Sequence, residues 1–413
     1  MIGWLIVSLV LVASASLAVY IGKKALCLTQ TLTALLVQIF LGVTFFVIWG
    51  LQGDANTYHE AAKTLVDTWS TGSEPIYTLP AGKQSTVWIA GAIYWLVGPL
   101  PVIYLLFLAT FTAMIPALLA ITTRLFNFAS AAPLAAWLGV VAPPFIVWAP
   151  WMRRESLVFV LIGMTLVTLG LIYDSKWKLA LIMWPITAVM LLVTRPQVLL
   201  VLAVGSIAAT LLRNRKTQQT FYQSAFQHGI AIFMLAISGI LIWWTLTSTG
   251  TNAAIQPETR QGIMREISGP SQGLGVSYEG TPSTTSTPST TSTLDKGFEL
   301  GRRLINSMVG PFPWQWCSSS WTIAGLDGLF MLCVWILVAV GFVRYPQARK
   351  ITLILVAASL PLVAGEAYMH GNYGITMRVR AHYLIVLLPV ISVILSLLAN
   401  NFLTKRARKG QPV

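Results

Sequence analysis

A chain of 413 residues with 56% apolar and 10% charged side chains falls outside the soluble globular class, in which about a quarter of residues are charged. With a mean hydropathy of +0.73 it reads as an all-α polytopic membrane protein, a single integral membrane domain over 1-413. The net charge of +14 does not point to nucleic acid, because the basic residues are spread over short inter-span loops and make no groove.

Apolar runs of about 20 residues, enough to cross a roughly 30 Å hydrocarbon core, predict about 11 transmembrane helices. In chain order they lie near 2-20, 31-50, 100-122, 131-150, 156-173, 179-194, 197-212, 229-247, 326-343, 351-369 and 381-400. The first lacks a basic n-region and is followed by Lys23-Lys24, so it reads as an uncleaved helix and not as a signal peptide.

After the second span, 51-99 is predicted as a first outer loop. It starts Gly53-Asp54 and continues into an amphipathic helix on which Tyr58, Ala61, Ala62 and Leu65 recur at helical spacing. Asp54 is readable as the N-cap of that helix or as a functional carboxylate at the mouth of a span, and the two readings weigh equally. The stretch 86-98 either spans or, given Trp88, Tyr94 and Trp95, lies at the interface.

Short turns follow. One runs Trp148-Ala149-Pro150-Trp151-Met152-Arg153-Arg154-Glu155, another Thr194-Arg195-Pro196-Gln197. A second outer loop is predicted over 248-325, with a disordered Ser/Thr/Pro-rich stretch at 281-293. It closes on a Pro- and Trp-containing turn, Val309 to Trp316, where Trp314 is an interfacial anchor or, less readily, a substrate contact. Glu366 precedes Gly371-Asn372-Tyr373-Gly374, and Met377-Arg378-Val379-Arg380-Ala381-His382-Tyr383 opens the last span.

Alternating the spans places fifteen basic residues and one acidic residue, Asp174, on one side, which the positive-inside rule makes cytoplasmic. The N-terminus is then outside, the C-terminus cytoplasmic, and both long loops are outer. Twelve basic and twelve acidic residues remain for the outer side, where topology does not explain the arginines.

Taken singly, Arg153, Arg154, Arg195, Arg378 and Arg380 each read as interfacial anchors that snorkel to water. Together with Asp54, Glu155 and Glu366 they predict one outer pocket, in which arginines hold a phosphate and carboxylates meet a hydroxyl or a metal. Asp54 and Glu155 are the candidate catalytic carboxylates, and Asp54 also the candidate ligand of a divalent cation, Mg or Mn. Tyr58, Glu366, Trp151 and Trp314 are candidate substrate contacts, the aromatic ones able to stack on sugar faces. Neither a Gly-rich nucleotide loop, a His-Glu-x-x-His motif nor a Gly-x-Ser-x-Gly elbow occurs. Energy for group transfer is therefore expected to arrive in a lipid-phosphate-activated substrate that enters from the bilayer.

In plan, with many spans, Gly53-Asp54 with Tyr58 opening an early outer loop, and Gly374 to Arg380 ahead of Leu384 to Pro389, the chain resembles the GT-C superfamily of polytopic glycosyltransferases. The resemblance implies transfer of a sugar from a polyprenyl-phosphate-linked donor to a glycan or lipid acceptor on the outer face of a cell membrane, for surface-glycan synthesis, with Asp54 as base or metal-binding carboxylate. The chain departs from the commonest plan in an extra N-terminal span and in lacking a clear acidic partner for Asp54, a place that Glu155 fills in this reading. The same features are similar to membrane polymerases of O-antigen and exopolysaccharide type. A transporter or lipid flippase is the alternative from another class, and a scaffold without a pocket the plainest one.

Overall fold

The computed structural model describes residues 2–51, 53–72, 84–151, 154–213, 229, 232–233, 236–237, 239–240, 293–315, 319–369 and 373–408. All regular structure among them is helical. The chain runs α1 (Ile2–Lys24), α2 (Leu28–Trp49), α3 (Asp54–Thr71), α4 (Gln84–Val97), α5 (Pro101–Thr112), α6 (Ile115–Leu125), α7 (Ala132–Val141), α8 (Pro143–Val147), α9 (Glu155–Tyr173), α10 (Trp177–Thr194) and α11 (Leu199–Leu211). It continues with α12 (Thr293–Val309), α13 (Ser319–Arg344), α14 (Arg349–Met369) and α15 (Tyr373–Arg408).

Among the described residues nine helical segments are long and apolar enough to cross a membrane, and they coincide with nine of the predicted spans. The predicted span 197-212 corresponds to the shorter apolar helix Pro196–Leu211, and 229-247 lies largely outside the described residues. Two segments are broken. Pro116 sits in the first turn of α6, where the chain has just left α5, and Pro143 and Pro144 open α8 after an extended Ala142. A proline ring cannot continue a helix without losing a backbone bond. The buried Gln38 amide of α2 donates to the Phe145 carbonyl at 2.7 Å, a protein partner in place of water.

α9 is buried on nearly every side and forms the hub, touching α5, α6, α10, α11 and α15. Such all-round burial suits its unbroken apolar sequence, which has no polar face. Gly163 and Gly170 on α9 let Leu118 and Leu125 of α6 come close. At the periphery, α2 turns Leu36, Phe40, Val43 and Val47 outward as one exposed apolar stripe at helical spacing.

Contacts divide the charged residues between two ends of the bundle. At one end the Arg124 guanidinium donates to the Ala25 carbonyl, Lys176 pairs with Asp174 at 2.9 Å, and Arg213 lies over the Trp177 ring. Three tight turns there share one geometry. In each, a residue with positive φ (Leu26, Asn127, Ser175) ends a helix, its N–H and the next residue's N–H returning to carbonyls of the last turn. This is the Schellman cap, which satisfies carbonyls that the helix end leaves free.

The predicted first outer loop is a helical hairpin. Ala55, Tyr58, Ala62 and Leu65 of α3 are buried against Val87, Ala90 and Tyr94 of α4 and against Tyr104, Leu105 and Leu108 of α5. All but the last residue of the stretch 86-98 falls within α4, whose Gly91 admits Leu65 of α3, while Trp88 and Trp95 stay exposed. The second outer loop predicted over 248-325 contains α12, and α13 starts at Ser319 within the predicted bounds. The α12 sequence alternates Phe298, Leu304, Ile305 and Met308 with charged residues, too polar for a span, so a hydropathy reading passes over it. Of the stretch 281-293, residues 281–292 lie outside the described residues and Thr293 begins α12.

Candidate functional site

At the end of the bundle opposite the basic turns, four side chains distant in sequence make one chain of ion pairs. Arg378 Nη1 lies 3.5 Å from Asp54 Oδ2 and 3.4 Å from Glu155 Oε1, and Arg195 Nη1 lies 3.9 Å from that same Glu155 oxygen. The side chains close off in order: Asp54 is 35% exposed, Arg378 21%, Arg195 13% and Glu155 1%. Asp54 is therefore the carboxylate that an incoming molecule meets first.

Local structure places each of them. Gly50 and Gly53 have φ of +64° and +53°, a left-handed backbone that glycine adopts without the Cβ penalty, and these two turn the chain from α2 into α3. Gly53 holds the N-cap position and Asp54 is the first helical residue. The expected N-cap reading of Asp54 thus moves by one residue, and its side chain is turned to Arg378. Glu155 is the first residue of α9, where the positive end of the helix dipole favours a negative charge. Ser156 beside it donates to the Ala149 carbonyl at 2.7 Å and holds the loop before α9. Arg195 occupies the break between α10 and the 3-10 turn Pro196–Val198; the following proline keeps it out of the helical region, at φ −156° and ψ 82°. Arg378 lies on the second turn of α15, its guanidinium 5.4 Å from the centre of the Trp148 ring.

Tyr58 is buried beside this network, and burial pushes its hydroxyl up to about 12; the carboxylates of Asp54 and Glu155 add to the rise, while Arg154 and Arg378 oppose it. It stays protonated at neutral pH as a potential donor. Burial, ahead of repulsion from Arg154, draws Arg195 down to about 10, which leaves it charged at neutral pH. Among the described residues Arg378 Nε and Arg195 Nη1 are buried without a hydrogen-bond partner, so two guanidinium groups keep donor capacity there. Within this chain of ion pairs Arg195 and Arg378 face Asp54 and Glu155, two formal charges of each sign.

Other predicted residues lie elsewhere. Glu366 is buried and accepts from Thr376 Oγ1 at 2.5 Å, within the electrostatic field of Arg195 and Arg380. Trp151 packs on Phe45 and Trp49 of α2, with ring centres 5.1 and 6.0 Å away. Trp314 is 80% exposed and stacks on Phe312 at 4.7 Å. Arg153 lies outside the described residues.

Arg380 points away from the pocket. Its Nε donates to the Ser307 carbonyl at 2.8 Å, Nη2 to the carbonyls of Asn306 (2.7 Å) and Gly310, and Nη1 to Asp327 at 3.1 Å. With these bonds and 1% exposure it has no room for a phosphate. The reason is helical geometry: residues two apart on an α-helix point about 200° apart, so Arg378 and Arg380 cannot share a face. Sequence reasoning also missed Trp148 and Thr376. Trp148 stood inside the quoted turn, yet nothing local linked it to an arginine 230 positions later.

A divalent cation fits this donor set poorly. Arg378 stands between Asp54 and Glu155, where a shared ion would sit, and among the described residues no three His, Cys, Asp or Glu side chains gather as metal ligands. Comparison with known proteins adds no relative: no family model, curated protein or solved structure matches the chain.

Proposed function

We propose that the chain is an integral membrane glycosyltransferase that transfers a sugar from a polyprenyl-phosphate-linked donor to a hydroxyl acceptor on the outer face of a cell membrane. In this reading it has eleven spans with the N-terminus outside. The likeness in plan to GT-C glycosyltransferases motivates the reading. The observation that carries it is the Asp54–Arg378–Glu155–Arg195 chain: a half-open carboxylate backed by partly buried guanidinium groups, each with a donor unpaired among the described residues.

The chemistry divides between those residues. The acceptor oxygen attacks the anomeric carbon of the donor sugar, the bond from that carbon to the phosphate oxygen breaks, and the phosphate leaves with the electron pair. Asp54 takes the acceptor proton. Arg378 and Arg195 stabilise the negative charge that grows on the leaving phosphate, and Glu155 fixes the two guanidinium groups before it forms. The Tyr58 hydroxyl, close enough to feel the charges of Asp54, Glu155 and Arg378, would donate to a sugar or phosphate oxygen. Trp148 lies over Arg378 and Trp151, in the same turn, packs on Phe45 and Trp49 of α2, aromatic surfaces of the kind that stack on sugar faces.

The transporter alternative calls for ionisable groups at a helix break near the midplane. The break before α6 is instead closed by Gly139 of α7, where a Cβ would meet the Pro116 backbone and the Leu119 side chain.

The test uses a host that requires this protein. Asp54→Asn and Arg378→Ala, inserted at native levels, are expected to lower transfer by about 10²-fold or more and to make a lipid-linked intermediate accumulate. An unchanged profile of lipid-linked and surface glycans in both variants rejects the reading. The length of the accumulated glycan separates single-sugar transfer from polymerisation of repeat units.

A further inference from the structure

Arg380 makes more fixed bonds than any arginine of the site, yet none to it. Its guanidinium closes the C-terminus of α12, where the carbonyl of Ser307, with that of Gly310 just beyond, has no further helical turn to bond, and where the Asn306 carbonyl accepts from Arg380 as well as from the Gly310 N–H at 2.9 Å. A cation at this end also faces the negative pole of the helix dipole. Tyr383, one turn along α15, donates to the Ser307 carbonyl at 3.0 Å, and Asp327 of α13 holds the remaining edge of the guanidinium. Gly328 has no side chain to keep α13 away: a Cβ there would meet the carbonyl oxygens of Val309 and Gly310. Three helices thus converge on one buried arginine at the start of α15.

We propose that Arg380 is a positioning residue for Arg378. Bolted to α12 and α13, it fixes the rotation of the first turns of α15 about their axis, and this holds Arg378, on the opposite face, between Asp54 and Glu155. The geometry makes the site sensitive to that rotation. A guanidinium about 9 Å from the helix axis moves roughly 2 Å when the helix turns by about 15°. Such a shift suffices to open contacts of 3.4 and 3.5 Å.

A double-mutant cycle on the thermal stability of the full chain in detergent tests this. Asp54→Asn, Arg378→Gln and their combination are made in the native protein and again with Arg380→Lys. Lysine keeps the charge beside Asp327 but has no planar fork to span three carbonyls. In the native protein the two substitutions are expected to be non-additive in melting temperature; with Arg380→Lys they are expected to add. Coupling that persists unchanged with Arg380→Lys overturns the proposal, and so does absence of coupling in the native protein. Should Arg380→Lys not yield monodisperse protein, Asp327→Asn, which leaves the carbonyl bonds and loosens one edge, is expected to shrink the coupling, and unchanged coupling there overturns the proposal equally. The bearing on catalysis rests on the roles of Asp54 and Arg378 proposed above. Coupling indifferent to Arg380 alongside lost glycan transfer in Asp54→Asn removes this inference alone, whereas coupling as expected with unchanged glycans removes that function alone.

Discussion

Asp54 and Glu155 touch the same guanidinium but differ in what their loss costs. Arg378 and Asp54 are partly open to solvent, and ion pairs of that kind are worth about 1 kcal/mol or less. Glu155 is enclosed and faces two arginines, so Glu155→Gln leaves two guanidinium groups short of their counter-charge, at roughly 3–5 kcal/mol. Thermal unfolding is expected to rank Glu155→Gln far below Asp54→Asn in stability, while under the proposed function both are expected to lose transfer. The arginines of the tight turns were legible as a set because the topology expected from sequence left them unexplained. Which of them act together was not. Arg378 and Arg380 look alike in sequence and separate only when helical rotation is applied, and the pairing of Asp54 with Arg378 joins residues 324 positions apart.

Individual elements carry predictions of their own. Leu26 caps α1 in the left-handed region at φ 49°, where a side chain costs energy, and it is largely exposed. Leu26→Gly is expected to raise stability by about 0.5 to 1 kcal/mol, measured by thermal or denaturant unfolding. Gly328→Ala acts oppositely: its Cβ meets backbone carbonyls that cannot swing aside, and a loss of roughly 1–3 kcal/mol is expected in the same assay. Between α3 and α4, His59 Nδ1 and the Tyr94 hydroxyl lie 2.8 Å apart. Burial above all holds His59 below the usual histidine range, with Lys63 adding to this and Glu60 opposing it. Below about pH 6.5 the unfolded chain therefore takes up a proton that the folded chain resists, and stability falls as the pH drops. The melting temperature of the native protein is expected to fall more than that of His59→Asn between about pH 7.5 and 5.5. The amphipathic α3 was legible from Tyr58, Ala62 and Leu65, but α12 was passed over, because its apolar positions Phe298, Leu304, Ile305 and Met308 are diluted by charges in a search for apolar runs.

At the scale of the whole molecule, the span pattern was the most legible part, since a hydrocarbon core demands long apolar helices and sequence shows them directly. The breaks at Pro116 and Pro143 were visible only as prolines; what repairs them, such as Gln38 reaching Phe145, depends on packing. The proposed orientation is checked by labelling in a background with Cys27, Cys317 and Cys333 replaced. Lys63→Cys on α3 is expected to react with a membrane-impermeant maleimide in intact cells, and Lys176→Cys only after permeabilisation; the reverse pattern inverts the topology. The even match of carboxylates and guanidinium groups at the site has an electrical consequence. A cluster without net formal charge feels little push from a transmembrane voltage, which acts at about 2.3 kcal/mol per elementary charge carried across 100 mV. Groups that exchange partners within one end of the bundle cross almost none of that voltage, so turnover there would proceed equally in an energised and in a depolarised cell.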